Sequence, residues 1–322
     1  MLLTARQLQD VCGKLPFIFR AGVWKPRTSP QTFQGAGEEA LSWLAEVKRS
    51  YGIPVATEVA TPEHVAAALK AGIDYLWIGA RSSANPIAVE AISHQLSAIR
   101  NLNTEGSMLK ALIIKNPVNA DAALWLGNIE RLEKTGVPVI AVHRGCNHHP
   151  CWAMAHQVRL ARPDIPMLLD PSHMSGDAAQ VPTLLGKIAE LGMDGAMVEV
   201  HCDPSSALSD RKQQVRAEEL GELGDLGALG IPGDIDNIEL AWLRAEIDEL
   251  DDRLWDTVAA RMSVSERIGA WKKANGVAPL QPERYREIGE RLKEKGERLG
   301  LDEAFMLRIW ELIHNESLRK QA

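Results

Sequence analysis

A repeat constrains this chain more than any other feature. Seven short apolar runs, Phe17–Ala21, Val55–Glu58, Tyr75–Ile78, Leu112–Lys115, Val137–Val142, Met167–Leu169 and Ala196–Val200, succeed one another through its first 220 residues. Between them lie segments such as Ala40–Val47 and His64–Leu69, whose apolar residues recur at helical spacing. Strands that are apolar on both faces, each followed by a helix, predict a parallel sheet covered by helices. One βα unit in roughly 25 to 35 residues is the period of a (β/α) barrel. Seven strands are one fewer than a closed barrel needs, and the chain opens on a helical pattern, Leu2–Cys12, with no strand before it. The expected fold is therefore α/β, a TIM (β/α)8-type barrel lacking its first strand. An open seven-stranded sheet is the alternative. A barrel without one strand exposes two sheet edges.

Composition removes several function classes. A net charge of -7 argues against general nucleic-acid binding, so cations for an anionic substrate must be concentrated locally. No apolar run reaches the roughly 18 residues of a membrane span, and Met1–Leu8 is not followed by the apolar core of a signal peptide. Cys12, Cys146, Cys151 and Cys202 form no CxxC pair, which fits a reducing, cytoplasmic setting.

Barrel enzymes place their chemistry at the C-terminal ends of the strands. Here those ends read Lys25-Pro26-Arg27-Thr28, Thr57-Glu58, Gly79-Ala80-Arg81, Lys115-Asn116-Pro117, His143-Arg144-Gly145, Asp170-Pro171-Ser172-His173 and Glu199-Val200-His201. Lys25, Arg27, Arg81, Lys115 and Arg144 would ring one mouth. Like charges gathered in this way repel unless an anion sits among them, which points to a substrate carrying phosphate and carboxylate. One such cation alone would be a solvated strand end. Arg20 and Lys25 are an odd number of residues apart, so a bend near Gly22 is needed to bring them together. His173, Glu199 and Asp210 offer one nitrogen and two carboxylates, a donor set suited to Mn, Fe, Co or Zn. A structural histidine is the alternative reading.

In this order these stretches resemble 3-deoxy-D-arabino-heptulosonate 7-phosphate (DAHP) synthase. The matching segments are Arg20–Ser29, Ile78–Arg81, Lys115–Asn119, His143–Gly145, Asp170–His173 and Glu199–Asp210. The resemblance implies condensation of phosphoenolpyruvate with erythrose 4-phosphate. It assigns Arg20, Lys25, Arg81, Lys115 and Arg144 to phosphoenolpyruvate, with Lys25 among the catalytic groups. Arg27 and Thr28 fall to erythrose 4-phosphate, with Asp170 near its hydroxyls, and His173, Glu199 and Asp210 to a divalent metal. The family's fourth metal ligand is a cysteine in a Gly-Pro-Cys motif after the first strand, and this sequence has no such motif. The chain is thus expected to begin just after it. Cys146 and Cys202 lie near strand ends and are the candidate substitutes.

Composition changes near Gly221–Gly233, where glycines and a proline mark a linker. The expected partition is a barrel over residues 1–220, a linker over 221–235 and a helical domain over 236–322. Asp236 or Asn237 can cap a long helix whose apolar stripe runs Leu243, Ile247, Leu250, Leu254, Val258 and Met262. Gly276 and Pro279 end it, and shorter helices follow near Pro282–Arg298 and Asp302–Lys320. So thin a core predicts a homodimer through the long helix. At about 100° per residue, Arg261 and Lys272 share a helix face while Arg244 lies off it.

This tail resembles the all-helical type of chorismate mutase at Leu243-Arg244, Ile247-Asp248, Asp251, Arg261, Ile268-Gly269, Lys272, Arg284 and Ser317 with Gln321. The implied reaction, chorismate to prephenate, needs no cofactor. The resemblance assigns Arg261, Arg284 and a second copy's Arg244 to the carboxylates, Lys272 and Gln321 to the ether oxygen, and Ser317 to supporting a carboxylate. Tyr285 stands where relatives have glutamate, and Gln281 where they have aspartate. The rival reading is a ligand-binding or regulatory barrel, no longer catalytic, with a tail that only dimerises.

Overall fold

The computed structural model describes every residue except 14, 28, 30, 103–108, 223–236 and 322. Seven parallel strands pair strictly in chain order: β1 (Phe19–Ala21), β2 (Val55–Glu58), β3 (Tyr75–Ile78), β4 (Ala111–Lys115), β5 (Val139–His143), β6 (Met167–Leu169) and β7 (Gly195–Ala196). Among the described residues no ladder joins β7 back to β1. The sheet is a curled half-barrel, one strand short of closure. Helices α1 (Leu2–Cys12), α2 (Glu39–Tyr51), α3 (Pro62–Lys70), α4 (Ala80–Ser83), α5 (Pro86–Leu102), α6 (Ala122–Glu133), α7 (Trp152–Ala161), α8 (Pro171–Ser175), α9 (Val181–Glu190) and α10 (Ala217–Glu222) accompany it. They are followed by α11 (Ile238–Ala274), α12 (Pro282–Leu299) and α13 (Glu303–Gln321).

The strand pleat sorts the side chains into two cores. Val55, Leu76, Ile78, Leu112, Ile114, Ala141 and Leu169 point outward and are buried with the helices. Ala56, Trp77, Ile113, Val142 and Met197 point inward and form a smaller cluster within the curl. Four strands differ from the expectation: β1 begins at Phe19 rather than Phe17, β4 begins one residue earlier at Ala111, and β5 and β7 are shifted further. β5 starts at Val139, after Pro138, whose ring nitrogen carries no hydrogen to donate. β7 holds only Gly195–Ala196, because Val200 leaves the sheet to bridge Val215.

The chain divides into two compact units, Met1–Glu246 and Ile247–Ala322. The first turns of α11 belong to the first unit because Trp242 and Ala245 are buried in its core. Trp242 stacks on His156, with centroids 5.3 Å apart, and His156 Nδ1 lies 2.7 Å from Glu246 Oε1. The expected linker, residues 221–235, falls almost wholly outside the described residues, as does Asp236. In the second unit α13 lies directly on α11: a Cβ at Gly269 would stand 2.6 Å from the Cα of Gln321. Only glycine allows that approach. Ile247, Leu250 and Leu254 are all more than half exposed.

Candidate functional site

The inward row of each strand ends in a site residue. Side chains alternate along a strand, so the residue two positions beyond an inward apolar side chain also points inward. Ile18 is followed in this way by Arg20, Ala56 by Glu58, Trp77 by Gly79, Ile113 by Lys115, Val142 by Arg144, Leu168 by Asp170 and Met197 by Glu199. The same periodicity that fills the curl with apolar groups therefore sets a charged rim above it. A cavity of about 470 Å³ opens there, lined by Arg20, Lys25, Arg27, Arg81, Lys115 and Arg144 together with Glu58, His173, Glu199 and Asp210.

At the floor, Lys115 Nζ donates to Asp170 Oδ2 at 2.6 Å, and both side chains are buried. The other carboxylate oxygen accepts from the His173 backbone N–H at 3.0 Å, capping α8. Burial pushes the Asp170 carboxyl upward, but His173, Lys115 and Arg20 outweigh it and hold it well below the usual carboxylate range. Arg20 lies 3.5 Å from Glu199 and 5.5 Å from the Trp77 ring centroid. Burial lowers the pKa of Arg144.

Glu58 is a site residue that the strand-end motifs contain but that no motif singled out. Burial raises its pKa even though Lys115, Arg20, Lys25 and Arg81 all pull it down. Gly79 makes room for it, since a Cβ there would stand 2.0 Å from Glu58 Oε1. A glutamate one strand away from a strand-end glycine is the signal that could have found it.

Asp210 is engaged by cations. Arg27 grips it with two hydrogen bonds, of 3.0 and 2.6 Å, and Lys25 Nζ reaches it at 3.2 Å while also donating to Ser209 Oγ at 2.7 Å. Burial pushes this carboxyl up, but the Arg27 and Lys25 contacts hold it far below the ordinary range. The residue sits in the left-handed region, at φ 54°, where a non-glycine backbone is unusual. The expected metal triad is consequently not gathered. His173 Nε2 and Glu199 Oε1 face each other at 3.7 Å, His173 Nδ1 is taken by Asp170, and Asp210 is turned to Arg27. Among the described residues no three His, Cys, Asp or Glu side chains stand together as a metal site would require. Cys202 lines the same cavity, and Cys146 lies buried near Asn116. Thr28 lies outside the described residues.

A carboxylate in the grip of Arg27 and Lys25 competes with any phosphate for them. Asp210→Asn is expected to tighten binding of inorganic phosphate about tenfold, because a site occupied by its own chain is competent only part of the time. Calorimetric titration of the full chain reads this directly. Weaker binding in the variant would refute it.

In the second unit, α11 and α13 bring four of the sequence-assigned residues together. Arg261 donates to Ser317 Oγ and to Ile313 O, the latter at 3.4 Å. Lys272 Nζ donates to Gln321 Oε1 at 3.0 Å and to Pro279 O at 2.5 Å. The shared face of Arg261 and Lys272 is therefore the face toward α13. Arg284 pairs with Glu287 at 2.5 Å on an exposed surface. Arg244 is exposed on the part of α11 that belongs to the first unit.

Residues 1–228 match the DAHP synthetase I family, and residues 243–322 match chorismate mutase type II. The phospho-2-dehydro-3-deoxyheptonate aldolase of Thermotoga maritima is 30% identical over 222 residues, covering 67% of this chain and 61% of its own length. The 4-amino-4-deoxychorismate mutase of Streptomyces venezuelae is 38% identical over 81 residues, covering 25% of this chain and 79% of its own. The crystal structure of the Thermotoga maritima DAHP synthase superposes with a TM-score of 0.57 at 28% identity, covering 69% of this chain and 62% of that one. This chain thus spans less than two thirds of the length of the Thermotoga protein it matches.

Proposed function

Because the chain belongs to the DAHP synthetase I family over residues 1–228 and carries a chorismate mutase type II domain over residues 243–322, we propose that it serves two steps of aromatic (shikimate-pathway) biosynthesis. The barrel binds phosphoenolpyruvate and erythrose 4-phosphate and joins them to DAHP. The helical unit rearranges chorismate to prephenate. The observation that carries the barrel reading is the rim itself: cations from β1, β3, β4 and β5 converge on one cavity. Two multiply charged substrates repel each other, and fixed cations offset that repulsion while aligning the enol carbon with the aldehyde. A carbon–carbon bond forms between them, water adds at the enol-phosphate carbon, and phosphate leaves. Lys115, Arg20, Lys25, Arg81 and Arg144 hold the enol phosphate, and Arg27 holds the second phosphate. Glu58, whose carboxyl retains a proton more readily than usual, is placed to exchange one at the rim. The family generally depends on a divalent metal, with Mn, Fe, Co and Zn as the candidates. Among the described residues His173, Glu199 and Asp210 are not gathered as a metal triad, and the steps above are written for the chain's own cations.

In the helical unit the reaction breaks a C–O bond and needs no covalent intermediate. Lys272 and Gln321 donate to the ether oxygen as charge develops there, and Arg261 and Arg284 hold the carboxylates. The exposed stripe Ile247, Leu250 and Leu254 pairs with a second copy, which supplies its Arg244 to the site. Four cysteines with no CxxC pair fit a reducing compartment, and a cytoplasmic homodimer is the reading we adopt.

Purified full-length protein should consume chorismate, and should consume phosphoenolpyruvate only when erythrose 4-phosphate is present. Consumption of chorismate alone would support the rival reading, a barrel that binds ligands without catalysis. Consumption of neither would refute the proposal.

A further inference from the structure

The helical unit contains a polar aromatic cluster that the roles above leave unused. Trp310, His314, Ser317 and Gln321 recur at spacings of four, three and four along α13, so they form one row. The last two of that row hold Arg261 and Lys272. His314 lies just before Ser317 on the same face and feels both cations. Burial, then Arg261 and Lys272, push its pKa below the ordinary histidine value, so the ring is neutral near pH 7. Its Nε2 is buried without a hydrogen-bond partner, as is Trp310 Nε1. Tyr285 of α12 completes the cluster, with ring centroids 4.4 Å from Trp310 and 4.8 Å from His314. A buried ring nitrogen with no partner is a hydrogen bond waiting to be made.

Resting on the mutase reading, we propose that His314 contacts the ring substituent of the substrate and, with Tyr285 and Trp310, sets which substituent is accepted. The argument is one of remaining groups. The carboxylates of the substrate require arginines, and its ether oxygen requires Lys272 and Gln321. What is left on the cyclohexadiene ring is one hydroxyl, an uncharged group that both donates and accepts. A neutral imidazole serves it in either tautomer, and serves an amine in its place by accepting. The indole and phenol rings supply apolar faces against the ring edge. Tyr285, Trp310 and His314 would thus select by hydrogen bonding and ring contact rather than by charge.

The test uses the whole chain, with chorismate and its analogue bearing an amine in place of the ring hydroxyl. His314→Leu should raise KM for chorismate about tenfold while kcat changes by less than about threefold, the pattern of a contact made equally in ground and transition states. His314→Gln, which keeps a polar atom at similar reach, should recover most of that loss. The preference between hydroxyl and amine substrates should move in His314→Leu, an effect that a purely structural role would not produce. Should His314→Leu fail to fold, His314→Asn against His314→Gln carries the same comparison, the shorter amide losing the contact. Unchanged KM and unchanged preference in folded variants would overturn the assignment of His314 while leaving the mutase reading intact. No turnover of either substrate by the wild-type protein would overturn the mutase reading, and His314's role with it.

Discussion

Lys115→Met should destabilise the barrel by about 3–5 kcal/mol, the cost of stranding a buried charge whose partner has been removed. Lys115 and Asp170 meet at 2.6 Å with Asp170 fully buried. In the variant the carboxylate keeps its burial and loses its closest cation. The pH dependence then weakens. In the wild type, the depressed Asp170 pKa contributes stability that is present above the unfolded carboxylate pKa and lost as pH falls through the folded value. With the lysine gone, the Asp170 pKa rises from its depressed value while His173 and Arg20 still hold it down, so the variant loses less stability on acidification than the wild type does. The deficit relative to wild type should therefore narrow as pH is lowered. Denaturant unfolding of the full chain at several pH values measures it, following the barrel transition. The double variant Lys115→Met with Asp170→Asn should recover much of the loss, because an uncharged amide no longer needs a cation. A deficit independent of pH, or one that widens in acid, would show that packing at Lys115 matters more than its charge.

Arg261→Ala should lower kcat/KM for chorismate by about 10²- to 10³-fold, the scale of removing a charged partner from a desolvated ion pair. The guanidinium is held by Ser317 and the Ile313 carbonyl, so its orientation is set before substrate arrives. Burial lowers its pKa, yet a guanidinium remains a cation at any pH of interest. Arg261→Lys should recover little, since a point charge cannot reproduce two parallel N–H donors. Ser317→Ala, which removes only the support, should cost far less than Arg261→Ala. Steady-state kinetics on the three variants settle the order, and equal losses for Ser317→Ala and Arg261→Ala would contradict it.

How much of this was legible in the sequence depends on the distance over which the cause acts. β2, β3 and β6 occupy the expected residues because their runs are bounded by local breakers such as Pro54, Gly79 and Pro166. The inward charged rim follows from a period of two, which any strand displays. The helical unit was readable for the same reason: Arg261 and Lys272 share a face by arithmetic on one helix. Asp210 is the counter-example. Its partners Arg27 and Lys25 lie 183 and 185 residues away, and which carboxylate a cation takes is decided by the folded mouth, not by spacing. Glu58 was missed because a single strand-end glutamate looks like any solvated residue until Gly79 is seen to make room for it. His314 was missed because attention fell on charged residues, and the imidazole becomes informative only once its buried nitrogen is seen to lack a partner.

The gap between β7 and β1 is spanned by side chains: Arg20 to Glu199, and Arg27 with Lys25 to Asp210. A backbone ladder is largely indifferent to dissolved salt, but an electrostatic seam is not. The cations of this seam are also the cations of the mouth. An incoming phosphate therefore draws on the same charges that fasten the two edges together. Empty, the edges are tied through Glu199 and Asp210; loaded, the ligand itself becomes part of the tie. Ionic strength therefore acts on the seam and on anion binding through the same three cations.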